Sequence, residues 1–184
     1  MKVIGLTGGI ASGKSTASAY LRELGAAIVD ADAISRASTR RGGAAFEAVC
    51  AAFGDILGAD GEIDRRKLGG IVFADEDARR KLNSIVHPAV MAESRAQIEN
   101  ARASGVKMCI LDVPLLFETG MEKLCDETWL IYVPREEQIR RMAERDGLDA
   151  AAAAARIDSQ MPLEEKLKRA DVAIDSSGTI EQTR

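Results

Sequence analysis

The chain has 184 residues, and 25 lysines and arginines stand against 29 aspartates and glutamates, a formal charge of −4 with histidine neutral. Hydrophobic residues make up 46% of the chain, so we expect a single folded domain with a sizeable core rather than a disordered chain. The mild acidity argues against a general nucleic-acid-binding protein, because the binding face of such proteins is usually basic.

The scarcity of metal-binding residues excludes further classes. His87 is the only histidine, and Cys50, Cys109 and Cys125 lack C-x-x-C spacing, so neither a multi-histidine metal site nor a zinc ribbon is expected. Three cysteines within apolar runs predict reduced, buried thiols. No apolar run approaches the roughly 20 residues of a membrane span, and the N-terminus lacks the plan of a signal peptide. We therefore expect a cytoplasmic protein that binds no membrane.

Five short apolar runs predict the strands of a parallel sheet. None of them alternates polar with apolar residues, so each strand is expected to be covered on both faces. The runs are Val3–Leu6, Ala27–Val29, Met108–Leu111, Trp129–Val133 and Val172–Ile174. Helical patterns separate the runs, the first of them from Lys14 to Gly25. This order predicts a doubly wound α/β fold.

A long interval between the second and third strands predicts a helical insertion beside the sheet. Its helical patterns lie at Ala44–Phe53, from Asp64 to Phe73, and from Asp75 onward. We predict a break in the last of these at His87-Pro88, because proline fits the first turn of a following helix.

A second excursion follows the fourth strand. It comprises helical patterns at Glu136–Arg145, Ala150–Ala155 and Leu163–Arg169. Alanine favours helix but offers little surface to bury. We therefore predict a mobile helical flap.

A glycine-rich segment after the first strand carries the clearest chemical signal. Gly8-Gly9-Ile10-Ala11-Ser12-Gly13-Lys14-Ser15 matches G-x-x-x-x-G-K-[ST]. In such a loop the backbone amides face a phosphate at the start of a helix, Lys14 reaches the β and γ phosphates, and the Ser15 hydroxyl ligates Mg²⁺. The alternative is a glycine-rich turn with a capping serine. The position of the motif between a strand and a helix favours a nucleotide-binding loop.

The class of nucleotide-binding protein follows partly by elimination. A GTPase needs a guanine-reading [NT]-K-x-D segment, and this chain has none. Helicases and transport ATPases are usually longer. Small-molecule kinases remain, and they need a carboxylate near the acceptor hydroxyl and cationic side chains over the phosphates.

Several polar side chains follow the predicted strands. Asp30 and Asp32 end the second strand, and on an extended backbone both would point the same way. Asp32 is the candidate partner of the acceptor hydroxyl, whereas either residue could instead cap a helix from Ala33. Asp112 could hold Mg²⁺ through water or simply end its strand in a turn. His87 could contact an anionic substrate or only orient the chain at the adjacent proline.

Arginines are concentrated on the helix predicted after the fourth strand. Arg141 and Arg145 are four residues apart and share a face. Such a face is most often only solvated. In a P-loop kinase, however, this is where a lid would bring positive charge onto the transferred phosphoryl group.

Taken together, these residues give the chain a resemblance to the dephospho-CoA kinase family over nearly its full length. The matching segments are Leu6–Ser15, Asp30-Ala31-Asp32, His87-Pro88, Pro114-Leu115-Leu116-Phe117-Glu118, the Arg141/Arg145 pair and Asp171–Asp175. The resemblance implies ATP-dependent phosphorylation of the ribose 3′-hydroxyl of dephospho-CoA, the last step of coenzyme A biosynthesis. It implies a three-layer P-loop NTPase fold with about five parallel strands, a helical CoA-binding insertion (41–104) and a lid (135–169), the nucleotide core being 1–40, 105–134 and 170–184.

The resemblance also assigns roles to residues. Asp32, Lys14 and Arg141 would be catalytic. Dephospho-CoA would contact Asp32, Arg65, His87, Pro114 and Leu115, and Mg²⁺ would bind Ser15 and, through water, Asp112. The ATP-binding set would be Gly8, Gly9, Ala11, Ser12, Gly13, Lys14, Ser15, Thr16 and Arg145.

Three features depart from the family pattern. The family usually has glycine at the position of Ala11, and it favours Asn-x-Gly where this chain has Asp175-Ser176-Ser177-Gly178. Thr179 and Gln182 predict a capping box for a final helix that family members usually continue, so we expect a shorter tail to affect packing more than chemistry.

Two alternatives to this function stay open at the level of sequence. One is a kinase acting on another small acceptor, such as a nucleoside monophosphate. The other is a non-catalytic nucleotide-binding switch. In either case a monomer or weak homo-oligomer is expected.

Overall fold

A five-stranded sheet forms the centre of the computed structural model, which describes all residues from Met1 to Arg184. The strands are β1 (Lys2–Gly8), β2 (Ala27–Asp30), β3 (Met108–Asp112), β4 (Glu127–Tyr132) and β5 (Val172–Asp175), in the order β2-β3-β1-β4-β5. β1 pairs in parallel with β3 and β4, and β4 pairs in parallel with β5. The five predicted strands and the parallel sheet are therefore confirmed.

Nine helices accompany the sheet. They are α1 (Lys14–Glu23), α2 (Ala31–Ser38), α3 (Phe46–Phe53), α4 (Arg65–Ala74), α5 (Glu76–Ala103), α6 (Arg135–Asp146), α7 (Ala150–Asp158), α8 (Leu163–Arg169) and α9 (Ile180–Thr183). Local capping explains several boundaries, because Asp64 and Asp149 accept hydrogen bonds from amides of the first turns of α4 and α7. The predicted capping box of Thr179 and Gln182 is present at α9. None of these helices is long and apolar enough to cross a membrane.

The predicted helix break at His87-Pro88 is wrong. Helix α5 runs for 28 residues with Pro88 in its interior. Val86 and Val90 are both buried, at 8% and 6% exposure, on one face either side of the proline. We infer that burial of this shared face holds the two turns in line and outweighs the loss of one backbone hydrogen bond.

Apolar side chains of the central strands make the core that fixes the sheet. Ile4, Leu6, Ile110 and Ile131 are at most 1% exposed, and partly buried Leu21 of α1 packs against them. Such burial stabilises a fold by roughly 25 cal/mol for each Å² of apolar surface removed from water. The rigid core presents the carboxyl ends of β1 and β3, the edge at which parallel sheets bind ligands.

The chain divides into two compact units. One comprises Met1–Val29 with Ile98–Arg184, and the other comprises Asp30–Gln97. The second unit contains α2, α3, α4 and most of α5. Its assignment as the acceptor-binding part, and that of α6–α8 as a lid, stay predictions about function.

Candidate active site

The phosphate-loop motif forms the turn between β1 and α1. The strand ends at Gly8 and the helix begins at Lys14, as the motif requires. A Cβ at Gly8 would lie 2.5 Å from Ser12 Oγ and 2.7 Å from the Ile131 carbonyl oxygen, so only glycine fits there. Gly13 caps α1 with φ of 83° and no side chain. The loop therefore lies at the positive end of a helix, a position suited to binding phosphate.

Ala11 has an unusual backbone conformation. Its φ is 59°, and it is the only residue other than glycine in the left-handed region. A Cβ is strained in this region, whereas glycine is not. The glycine that the family usually has at this position is thus explained by the shape of the loop.

Replacing Ala11 with glycine should raise stability by about 0.5–1 kcal/mol, because relief of the strain exceeds the added entropy of the unfolded chain. The melting temperature should rise by about 1–4 °C in a chain of this size. The matched control is Ala19→Gly on the exposed face of α1, where glycine should lower the melting temperature. A lower melting temperature in both variants would contradict the interpretation that Ala11 is strained.

Lys14 forms an ion pair with Asp112 at the end of β3. The two side chains are only 18% and 11% exposed, so the pair is largely withdrawn from solvent. Next to them Ser15 is exposed in the first turn of α1, while the Ser12 hydroxyl is buried without a hydrogen-bond partner. The structure thus brings together a cation, a carboxylate and two hydroxyl groups around the loop.

The two arginines predicted for the lid have different surroundings. Arg141 donates from Nη2 to the Ser176 carbonyl oxygen (2.7 Å) and from Nη1 to that of Ala11 (3.3 Å), so it reaches the phosphate loop. Arg145 lies 62% exposed and pairs only with Asp146. The position of Arg141 therefore supports the prediction of an arginine beside the ATP phosphates. Arg145 instead lies in solvent, as the alternative interpretation of this helix face predicted.

A carboxylate on α6 holds the Arg141 guanidinium in place. Glu137 accepts from Arg140 and from Arg141 Nε (2.7 Å), and these bonds lower the pKa of Glu137 to about 2. The carboxylate is therefore ionised at any pH near neutrality, and Arg141 stays oriented toward the loop.

The aspartates that follow β2 differ from expectation. Asp30 caps α2, with Oδ1 accepting from the Ala33 amide at 2.9 Å, as the capping alternative predicted. The assumption of an extended backbone through Asp32 is wrong, because α2 begins at Ala31 and places Asp32 in its first turn. Asp30 and Asp32 therefore occupy different positions at the start of α2, and only Asp32 is exposed.

Within the unit Asp30–Gln97 the structure contains a cavity of about 820 Å³. Arg65 and His87, both predicted near substrate, line it together with Arg36, Arg40 and Asn83. Burial lowers the pKa of His87, so its imidazole is neutral near pH 7. Three arginines and a polarisable ring make this cavity suited to an anionic ligand.

A family model described as dephospho-CoA kinase matches residues 2–182. The chain belongs to the dephospho-CoA kinase family. It is 54% identical to the dephospho-CoA kinase of Carboxydothermus hydrogenoformans, over 100% of this chain and 90% of that protein. With the enzyme of Geobacillus kaustophilus it shares 53% identity over 98% of this chain and 90% of the relative.

Solved structures agree with this assignment. The dephospho-CoA kinase from Campylobacter jejuni superposes with a TM-score of 0.75 at 32% identity, covering 99% of this chain and 91% of that one. A Thermus thermophilus protein gives a TM-score of 0.84 at 36% identity, covering 99% and 92%. The α/β fold and the family suggested by the sequence motifs are confirmed.

The family segment Pro114–Glu118 is held by two side chains from distant parts of the chain. The Pro114 carbonyl oxygen accepts from Thr7 Oγ1 (3.0 Å) and from Lys166 Nζ (3.4 Å). Lys166 is 1% exposed, and its ammonium lies 2.9 Å from Glu118 Oε1. A buried ion pair with a further hydrogen bond fixes geometry more than it adds stability.

Sequence reasoning missed two buried side chains, Lys166 on α8 and Gln138 on α6, at 1% and 6% exposure. Each lies among charged residues, a context that predicts a solvated position. The one available signal is weak, namely that Gln138 precedes buried Met142 by four residues, a helical spacing.

Proposed function

We propose that this chain transfers the γ-phosphoryl group of ATP to the ribose 3′-hydroxyl of dephospho-CoA, giving ADP and CoA. Two features of this family member carry the proposal: it has a phosphate loop, and it also has an arginine-lined cavity. A non-catalytic nucleotide-binding switch would need no second anion-binding site. A nucleoside monophosphate kinase is disfavoured by the family match over residues 2–182.

The ATP phosphates would occupy the loop Gly8–Thr16. Lys14 would exchange Asp112 for the β and γ phosphate oxygens, and the buried Ser12 hydroxyl would gain an acceptor. Arg141, already directed to the loop, would neutralise charge that develops on the transferred group. Arg145 would contribute only after leaving Asp146.

Magnesium would be held by Ser15 together with phosphate oxygens. The chain has no cluster of three or more histidine, cysteine, aspartate or glutamate side chains that could enclose a metal ion. Magnesium commonly binds one or two protein oxygens and completes its shell with phosphates and water, so Ser15 and a water on Asp112 suffice. Bound there, the ion would screen the charge of the β and γ phosphates.

The acceptor would bind in the unit Asp30–Gln97. Arg36, Arg40 and Arg65 would pair with its diphosphate, and Asp32 would accept the hydrogen bond of the 3′-hydroxyl. In the transfer, the 3′-oxygen forms a bond to the γ phosphorus while the bond to the β–γ bridging oxygen breaks. The hydroxyl proton passes to Asp32, and little base strength is needed because the transition state is loose.

We further propose that the enzyme works in the cytoplasm as a monomer or weak homo-oligomer. Cys50, Cys109 and Cys125 are all free thiols, which fits a reducing compartment.

The affinity for dephospho-CoA should rise as pH falls from about 7.5 to 5.5, by up to about tenfold. The free protein holds His87 neutral because burial lowers its pKa, whereas a bound diphosphate would favour the protonated ring. Binding therefore takes up a proton, and lower pH strengthens it. Calorimetric titration of the wild type and of His87→Gln checks this, and an equal pH dependence in both would contradict it.

The direct test of the proposed function is an assay of ATP consumption with dephospho-CoA, with nucleoside monophosphates and without acceptor. We expect ADP and CoA in equal amounts, only when dephospho-CoA is present. Turnover with the monophosphates alone, or equal turnover without acceptor, would overturn the proposal.

A further inference from the structure

Three successive carbonyl groups of the phosphate loop are each bound by a side chain from outside the loop. Two of the donors lie on α6 and one follows β5. The bonds run from Gln138 Nε2 to the Ile10 oxygen (2.8 Å), from Arg141 Nη1 to the Ala11 oxygen (3.3 Å), and from Ser176 Oγ to the Ser12 oxygen. These hydrogen bonds fix the orientation of the three carbonyl groups.

Fixing a carbonyl also fixes an amide. In a planar trans peptide the C=O and the following N–H point in opposite directions. The bond from Gln138 therefore sets the direction of the Ala11 amide, and the bond from Ser176 sets that of Gly13. The Ser12 amide is used within the loop, donating to the Gly9 oxygen at 3.2 Å. We propose that Gln138 and Ser176 are positioning residues that preset the loop amides for the ATP phosphates.

The packing around Gln138 makes it the stronger of the two positions. Its side-chain amide is buried and lies against Gly9, where an added Cβ would come within 2.4 Å of Nε2. The other atoms nearest to that Cβ also belong to Gln138. Gly9 does not have a positive φ, so its backbone conformation does not demand glycine. The need for glycine at position 9 comes instead from the Gln138 amide.

Ser176 connects the same loop to the end of the sheet. Its side chain is buried at 5% exposure, and Oγ also lies 3.3 Å from the Tyr132 carbonyl oxygen. Its own carbonyl accepts from Arg141, which bridges it to Ala11. Although the Asn-x-Gly pattern of the family is absent here, Ser176 thereby anchors the loop.

This inference rests on the proposed ATP-binding role of the loop, and its test measures ATP binding by calorimetry without turnover. Gln138→Met keeps the length of the side chain but removes the donor, and it should weaken ATP binding about five- to tenfold. Dephospho-CoA binding should not change. The matched control is Glu136→Met on the exposed face of α6, which should bind ATP as the wild type does.

A double-mutant cycle separates positioning from general stability. Gly9→Ala should weaken ATP binding about tenfold in the wild type, because its methyl group displaces the Gln138 amide. In the Gln138→Ala background the same change should cost less than about twofold. An equal cost in both backgrounds would overturn the proposal, since the methyl group would then act on the ligand directly.

A second pair of variants keeps the proposal testable if Gln138 variants fold poorly. Ser176→Ala should weaken ATP binding severalfold, whereas Ser177→Ala, at the exposed neighbouring position, should not. Wild-type affinity in a folded Ser176→Ala or Gln138→Met protein would overturn the assignment. Failure of the wild type to make CoA would instead contradict the proposed function and leave these binding measurements intact.

Discussion

Replacing Lys14 with methionine should lower kcat at saturating substrates by about 10²- to 10³-fold, the usual cost of losing a preorganised group that stabilises transition-state charge. Methionine keeps the length of the side chain but removes the ammonium that the β and γ phosphates need. The substitution also leaves Asp112, 11% exposed in its side chain, without its cation. We therefore expect weaker ATP binding as well, because an unpaired carboxylate faces the phosphates.

The chain offers a matched control for this variant. Lys2 is also ion-paired, with Glu127, but its side chain is 52% exposed at the start of β1. Lys2→Met should keep activity close to that of the wild type, since exposed ion pairs contribute little. Steady-state kinetics on both variants check the expectation. More than a tenth of the wild-type kcat in Lys14→Met would contradict the role of Lys14 in stabilising the transition state.

Much of the fold follows from signals that act over a few residues. The apolar runs predict all five strands, and Asp64 and the Thr179–Gln182 pair mark helix starts that the structure has. These features depend on local backbone sterics and capping, so they can be predicted from a single sequence. The phosphate loop belongs to the same class, because its motif and its strand–helix context are contiguous.

Features that depend on tertiary packing cannot be predicted from a single sequence in this way. Helix α5 continues through Pro88 because a shared face is buried on both sides, which no local pattern reveals. Likewise, Arg141 and Arg145 obey the same spacing rule, yet only Arg141 meets the loop. The contact between Gln138 and Ile10 joins residues 128 positions apart. A sequence pattern shows which residues share a helix face. Which of them contacts the loop depends on how elements distant in sequence pack together.

The aspartates after β2 show how a small error in a boundary changes a functional argument. An extended backbone would have made Asp30 and Asp32 equivalent, but the start of α2 at Ala31 makes one a cap and leaves the other in the first turn. The structure therefore gives the two aspartates different local environments, and Asp32 stays the candidate for the acceptor base. It also supplies an internal control of the same chemistry two residues away.

Asp32→Asn should lower kcat by about 10²-fold while the Kd for ATP stays within about twofold, because asparagine keeps the shape of the side chain but cannot accept the hydroxyl proton. Asp30→Asn should leave kcat within about twofold, since asparagine caps helices as well as aspartate does. The two changes remove the same charge from the N-cap and from the first turn of α2, so their comparison cancels general electrostatic effects. Kinetics at saturating ATP and dephospho-CoA, with ATP affinity measured separately, provide the readout. Equal losses in both variants would point to the charge of the segment rather than to a base, and full activity in Asp32→Asn would remove Asp32 from the catalytic residues.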